Sequence, residues 1–354
     1  MDRFDVLPDG DIILAVSGSL ELLVSSVALS MTSPVFKTML GPHFAEGQAL
    51  RHKSTEVPHV VTLPDDDAEL MKALCLVSHR KYKAVQVPEN EAFRATFIID
   101  LVALADKYDC MAILRFPAAS WLVAVNTQSL IRSTKVACAE AAFKLDDATF
   151  FGRCTRSLVL DGEVDLWALA EGVSACRESI LDAVWKTENH TAKIVTEMID
   201  DIVTSAGIRL SADYKHCMDV TRPKTTDCEY NTAAVGTLLR ALCVAQLWPP
   251  SSRGRKLRDT IRNVQALEVP EVTLISPCGT CLDGGSENIL GMFERDIGHA
   301  KNTVQEIFTA VCLDCLKQIG DGYSPCRTPH YGEWATNDGD GDGRLNYDFA
   351  KLGD

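Results

Sequence analysis

Short apolar runs and helically spaced apolar residues alternate along the first hundred positions of the chain. Ile12–Val16 and Leu20–Val24 are largely apolar runs of strand length, and the turn residues 17–19 between them predict a β-hairpin. A third run, His59–Leu63, stops at Pro64, which cannot donate to a sheet ladder. We therefore expect a small sheet near the start of the chain, with helices between and after its strands.

The segment after the hairpin predicts two short helices. Ser25 is a suitable N-cap for the first of them. In "TSPVFKTMLGPHFAEG", residues 32–47, Ser33 is a natural N-cap and Pro34 fits the first helical position. Gly41-Pro42 then ends this second helix barely two turns after it begins.

The apolar residues around the second short helix are expected to have two different roles. Val35 and Met39 have helical spacing, so we expect them to face the core. Phe44 and Glu46 come after the Gly-Pro stop, where no predicted helix would bury them. They are therefore better candidates for contact with another molecule.

Further helical patterns follow the third strand. Asp66 and Glu69 have the spacing of a capping box and predict the start of a helix. A longer helix is predicted over about 96–110, and a neighbouring helix is predicted to begin near Met111. The apolar side of the longer helix would carry Ile98, Leu101, Ala105 and Tyr108.

This order of elements resembles the BTB/POZ domain that is common in filamentous fungi. The pieces "SPVF", "LPDDD" and "ADKYDC" occur in the order and at the spacing of that family, and the match runs from about Pro8 to Leu114. The resemblance implies an α+β protein, in which a BTB/POZ domain over 8–125 combines a small sheet with helical hairpins and an all-α region follows. A BTB fold is an interaction scaffold, so no enzymatic activity is expected.

The resemblance also implies a partner-binding site. Phe44-Ala45-Glu46 is similar to the hydrophobic-x-Glu motif that cullin-binding BTB domains place after the short helix. Phe44, Glu46, Met39 and His43 would then bind a protein partner, and the chain would be a substrate adaptor of a cullin-type ubiquitin ligase. Only eleven residues precede the predicted first strand, too few for the N-terminal helix of exchanged BTB dimers, so such a dimer is not expected.

Residues 126–248 are predicted to form a helical region, in which Asp147 caps one helix and 219–231 is a candidate linker. Its amphipathic stretches are 136–145, 147–160, 178–186, 192–203 and 232–248. The basic run 253–262 has two interpretations. It is either the solvated face of an amphipathic helix, or a nuclear-targeting or acidic-partner signal.

The region 249–330 is predicted to be helical and contains two C-x-x-C pairs, Cys278 with Cys281 and Cys312 with Cys315. Two such pairs can converge on a tetrahedral zinc ion, although the thirty-residue gap exceeds the usual ~15–20 residues. The same cysteines are equally compatible with reduced structural thiols in a helical core. A zinc-stabilised, transcription-associated or assembly scaffold is the alternative function.

Two further motifs suggest other chemistry. Cys278 follows an apolar run, as in thioredoxin-like redox proteins, but "LDGGS" comes directly afterwards and would break the required helix. In the tail, 331–354, the residues Asp338, Asp340 and Asp342 begin like a calcium loop. Phe349 occupies the position of the bidentate glutamate, so an acidic, disordered tail is the competing interpretation.

Composition narrows the class of partner. The formal net charge of −14 disfavours nucleic acids and anionic membranes, which require a basic face. No apolar tract reaches the roughly 20 residues that a membrane helix needs. The thirteen cysteines are mostly scattered singly, which is typical of reduced thiols, so we expect a cytoplasmic or nuclear protein.

Overall fold

A computed structural model describes most of the chain. The described residues are 2–51, 58–162, 174–210, 229–249, 256–269, 271–272, 289–307, 309–317 and 326–327. The chain divides into two compact units. The first comprises Met1–Ser157, Gly172–Ile180 and Cys312–Lys317, and the second comprises Leu158–Glu171, Leu181–Val311 and Gln318–Asp354.

The first unit contains a four-stranded mixed sheet. Its strands are β1 (Asp2–Asp5), β2 (Ile12–Val16), β3 (Leu20–Val24) and β4 (His59–Leu63), in the spatial order β1-β3-β2-β4. β2 and β3 form the predicted antiparallel hairpin, and β4 lies parallel to β2. The predicted bounds of these three strands are confirmed.

The expectation that the first strand begins near residue 12 is wrong. Residues 2–5 form β1, which pairs in parallel with β3 so that Asp2 lies opposite Leu20. The sequence of β1 is DRFD, in which only Phe4 is apolar. Main-chain pairing with β3, rather than an apolar pattern of its own, therefore holds this strand in the sheet.

Up to residue 161, the described part of the chain forms eight helices that lie between or after these strands. They are α1 (Ser26–Thr32), α2 (Pro34–Met39), α3 (Ala45–Arg51), α4 (Ala68–Ser78), α5 (Glu91–Lys107), α6 (Met111–Leu122), α7 (Arg132–Leu145) and α8 (Ala148–Asp161). α5 packs against α4, α6 and α7. The predicted apolar side of α5 is confirmed, since its four residues are all buried.

Side-chain caps explain where several of these helices begin. Ser25 accepts a hydrogen bond from the Ala28 amide, and Asp147 accepts one from the Phe150 amide, as predicted. The cap predicted at Asp66 is wrong by one residue, because Asp67 accepts from the Leu70 amide at 2.9 Å. α5 begins five residues earlier than predicted, because Asn90 caps it.

The structure describes five further helices. They are α9 (Ala175–Leu210), α10 (Glu229–Val244), α11 (Leu257–Ala266) and α12 (Ile289–Glu306), while α13 (Leu313–Lys317) belongs to the first unit. Two stretches predicted separately, 178–186 and 192–203, form one continuous helix, α9.

α11 covers residues 257–262 of the basic run, and residues 253–255 lie outside the described residues. Leu257 and Val264 are buried, and Arg258 forms an ion pair with Asp161 at 3.0 Å. The amphipathic-helix interpretation is confirmed for these residues. No helix among the described residues is both long and apolar enough to cross a membrane.

Candidate functional site

α2 is anchored to the core through its first turn. The Ser33 hydroxyl caps the helix by accepting from the Phe36 amide at 3.0 Å, and it donates to the Tyr108 carbonyl at 2.5 Å. The Phe36 side chain, only 2% exposed, stacks on the Tyr108 ring with centroids 4.5 Å apart and planes inclined by 7°. α2 is thereby held against the C-terminal end of α5.

Buried charge reinforces this anchor. The Tyr108 hydroxyl donates to the Asp66 carboxylate at 2.6 Å, and the Lys107 ammonium approaches the same carboxylate at 2.7 Å. Burial raises the pKa of Tyr108, and the hydrogen bond to Asp66 and the negative charge of Asp66 raise it further. The Tyr108 hydroxyl therefore stays protonated and donates its hydrogen bond. Asp66 connects the loop before α4 to Lys107 and Tyr108 at the end of α5 and does not cap α4.

The opposite side of α2 leads to an exposed surface. Phe44 is 47% exposed, His43 is also exposed, and Met39 and Glu46 are half-buried. The prediction that Phe44 lies outside the core is confirmed. The prediction that Val35 is a core residue is wrong, because it is exposed while Phe36 and Leu40 take the buried side of this two-turn helix.

A further short helix, α3, was not expected from the sequence. The Phe44 carbonyl accepts from the Gln48 amide at 2.9 Å, and Glu46 lies in the first turn of α3. Gly47 in its interior lowers helix propensity and conceals the pattern. In the structure Gly47 is buried, and a Cβ there would overlap the Gly41 carbonyl oxygen.

This glycine contact determines how the exposed residues are presented. Because Gly47 has no side chain, α3 sits directly on the turn that ends α2. The Gln48 side chain also donates to the Pro42 carbonyl at 3.3 Å. Phe44 and Glu46 are thus attached to the Gly41-Pro42 turn through α3.

α1, the helix before α2, is fastened at its N-terminus by two side chains from elsewhere in the first unit. The Asp11 carboxylate accepts from the Ser26 amide at 2.7 Å and from the Ser26 hydroxyl at 2.5 Å. His79 Nε2 accepts from the Ser25 amide at 3.0 Å, while its Nδ1 lies 2.7 Å from the Cys75 carbonyl.

These contacts require His79 to be neutral, with its proton on Nδ1. Burial lowers the pKa of His79, the nearby Lys81 lowers it further, and the hydrogen bond to the Cys75 carbonyl opposes both effects. His79 is therefore an acceptor at neutral pH and would lose that role on protonation.

Three buried cysteines, Cys75, Cys110 and Cys154, have thiols of low reactivity. Burial, followed by the charge of Asp109, raises the pKa of Cys110 to about 12. Burial likewise raises the pKa of Cys75 and of Cys154, and Cys154 also has a hydrogen bond to Cys138. Thiols with raised pKa values are poor nucleophiles, which fits a structural role.

A different group of cysteines is suited to a metal ion. The Sγ atoms of Cys312, Cys315 and Cys326 lie within 4.8 Å of one another, and this group could hold a metal. Cys326 was not among the four predicted ligands. Cys278 and Cys281 lie outside the described residues, as do the acidic tail 331–354 and its calcium-like segment.

No protein-family model and no curated protein matches the chain.

Proposed function

We propose that this protein is a non-enzymatic BTB/POZ-type interaction scaffold that docks a protein partner on its α2–α3 surface. We define this surface as Met39, His43, Phe44 and Glu46. From β2 onward the elements have the order that the resemblance implies. The β2–β3 hairpin is followed by the short helices α1 and α2, then by the strand β4, and then by further helices. The buried anchor at Phe36 and Tyr108 supports the surface from beneath.

The exposure of Phe44 is the observation that carries the proposal. Phe44, which is 47% exposed, can fill an apolar pocket of a partner. Its ring gives a large contact area, and binding costs little side-chain entropy because the side chain has few rotatable bonds. Glu46 follows two positions later, in the first turn of α3, and its carboxylate can accept charge-assisted hydrogen bonds that set the partner's orientation.

The partner we propose is the N-terminal domain of a cullin, so that the chain acts as substrate adaptor of a cullin-type ubiquitin ligase. The test is the double variant Phe44→Ala with Glu46→Ala in the full chain. It should lose cullin binding and keep its melting temperature, because neither side chain is buried. Isothermal titration calorimetry and thermal denaturation measure the two quantities.

Phe93→Ala is the matched control, because it removes an exposed ring from α5 instead. The control should bind the cullin domain like wild type. A double variant with a clearly lowered melting temperature would show that Phe44 and Glu46 serve packing. If the wild-type chain does not bind the cullin domain at concentrations on the order of tens of micromolar, the proposed adaptor function is wrong.

A zinc-stabilised scaffold is the second candidate, favoured by the grouping of Cys312, Cys315 and Cys326. We propose that Cys312, Cys315 and Cys326 bind zinc as thiolates, and that one of the two other predicted ligands, Cys278 and Cys281, completes the tetrahedral set. The purified 354-residue chain should contain about one equivalent of zinc and should lose stability on chelation or acidification. Elemental analysis that finds no zinc in never-chelated protein would leave these cysteines as structural thiols.

Single Cys→Ser variants would identify the ligands. Cys326→Ser should release zinc, whereas Cys243→Ser, at an exposed free cysteine, should not. Zinc retained by Cys326→Ser but lost by Cys278→Ser would restore the four-ligand set predicted from the two C-x-x-C pairs.

A further inference from the structure

A second exposed apolar surface lies on α6 and on the 3-10 turn Tyr82–Ala84. Phe116 is 71% exposed and Val123, directly after α6, is 75% exposed. Seven positions are about two helical turns, so both side chains lie on the same side. The Tyr82 ring meets Phe116 edge-on, with centroids 5.9 Å apart and planes at 81°. We call Tyr82, Phe116 and Val123 the α6 face.

Positive side chains border the α6 face. Arg80 and Lys83 flank Tyr82 along the chain, Arg115 precedes Phe116 on α6, and all three are exposed. None of the three forms an ion pair with any residue that the structure describes. Neither α6 nor the segment 79–83 contains an acidic residue, in a chain whose formal net charge is −14.

Two further arginines lie at the C-terminal end of α6. Arg94 donates to the Ala124 carbonyl at 3.5 Å, and Arg153 donates to the Val125 carbonyl at 2.5 Å. Ala124 and Val125 follow the C-cap of α6, Val123, so both guanidinium groups lie just beyond the end of the helix. The α6 face is therefore apolar at its centre and cationic along its border and at one end.

We infer that the α6 face docks an acidic protein segment that carries large apolar side chains. Apolar side chains of the segment would cover Phe116 and Val123, and its carboxylates would pair with Arg80, Lys83 and Arg115. The three cations, which form no ion pair with the residues that the structure describes, match a short run of acids. A nucleic acid needs a longer basic stripe to release counterions, and the excess negative charge of the remaining chain repels it.

The test is fluorescence anisotropy with the full chain and a fluorescein-labelled synthetic peptide of twelve residues, in which Asp and Glu alternate with Leu and Trp. The peptide should bind saturably, and its affinity should fall as salt increases from 20 to 300 mM on the order of tenfold. A copy with Lys in place of every acid should bind at least tenfold more weakly.

Three variants place the binding on the α6 face. Phe116→Ala and Arg115→Glu should each weaken binding at least tenfold. Val123→Asp should do the same, whereas Val244→Asp is the matched control on α10, because Val244 is 78% exposed and lies in the second unit. Phe44→Ala with Glu46→Ala should leave the affinity unchanged, since the α2–α3 surface is a different site.

Several results would overturn this inference. They are absence of saturable binding by the acidic peptide, equal binding of the Lys-containing copy, and equal loss of affinity in Val123→Asp and Val244→Asp. Tighter binding of a labelled oligothymidylate than of the acidic peptide would assign the cations to nucleic acid instead. Circular dichroism of each variant verifies that it remains folded.

Discussion

α2 and α3 are two short helices of six and seven residues, and they contribute to the protein in opposite ways. α2 buries a phenylalanine, which stacks on Tyr108 of the core. α3 buries only Gly47, whereas Phe44 and Ala45 at its start are exposed and Glu46 is half-buried. One helix is thus held by what it inserts into the core, and the other by the absence of a side chain at one position.

The difference shows what a short helix needs in order to be stable. An isolated helix of two turns does not form in water, because nucleation costs more than its few hydrogen bonds return. α2 offsets that cost with apolar burial and the Ser33 cap. α3 offsets it through close backbone contact with the Gly41 turn, which leaves its exposed residues available for binding.

Of the changes that test this difference between α2 and α3, removal of the Phe36 ring should have the largest effect on stability. Phe36→Ala should lower the free energy of unfolding by about 3–5 kcal/mol, because it deletes a buried aromatic side chain and leaves a cavity beside Tyr108. Urea denaturation followed by circular dichroism measures the change. A loss below about 1 kcal/mol would mean that α2 is no more firmly packed than α3.

Adding a single methyl group to α3 should have a smaller effect on stability and a large one on binding. Gly47→Ala should destabilise the protein by about 1–3 kcal/mol, because its Cβ overlaps the Gly41 carbonyl and displaces α3. The same substitution should weaken cullin binding, because the displacement of α3 also moves Phe44 and Glu46.

Gly152→Ala in α8 is the matched control for that substitution. A Cβ at Gly152 meets no atom within 4 Å, so this change should stabilise the protein by up to about 1 kcal/mol through helix propensity. If both variants behave alike in denaturation and binding, close packing at Gly47 does not position α3.

The smallest expected effect is a pH dependence at the N-terminus of α1, the helix that leads into α2. Because the pKa of His79 is lowered in the folded protein, the unfolded chain binds more protons between the two pKa values. Stability should therefore fall as pH decreases below about 6.5, and should level off below the folded pKa. Urea midpoints at pH 5 to 8 measure this slope.

His79→Gln should reduce the slope, since glutamine does not titrate in this range. His190, whose pKa is lowered by burial and by Lys193, contributes a separate slope from the second unit, and His190→Gln is the control for it. The pH dependence of stability could instead persist in His79→Gln and disappear in His190→Gln. It would then arise from His190, and neutral His79 would not be what holds α1.

Local patterns predicted the elements whose determinants lie close together in the chain. β2, β3 and β4 appear with the predicted bounds, and Ser25, Ser33 and Asp147 cap the predicted helices. Apolar run length, turn residues and capping side chains act over a few positions, so a sequence displays them directly. For the same reason, the exposure of Phe44 after the Gly-Pro stop could be predicted.

Other features depended on residues far apart in the chain. β1 is polar and exists because β3 offers it a free edge. Asp66 looked like a helix cap, but the approach of Tyr108 and Lys107, more than forty positions away, gives it a different role. Val35 is exposed because Phe36 and Leu40 already occupy the buried side of α2.

The sequence by itself determined the local elements, the acidic charge balance and the position of the exposed Phe44. The tertiary structure alone decided that Gly47 seats α3, that His79 anchors α1, and that Cys326 joins Cys312 and Cys315. The physical reason is the range of the interactions. Capping and hydrophobic periodicity operate within a turn or two, whereas a close backbone approach, a buried acceptor and a thiol cluster require segments that only folding brings together.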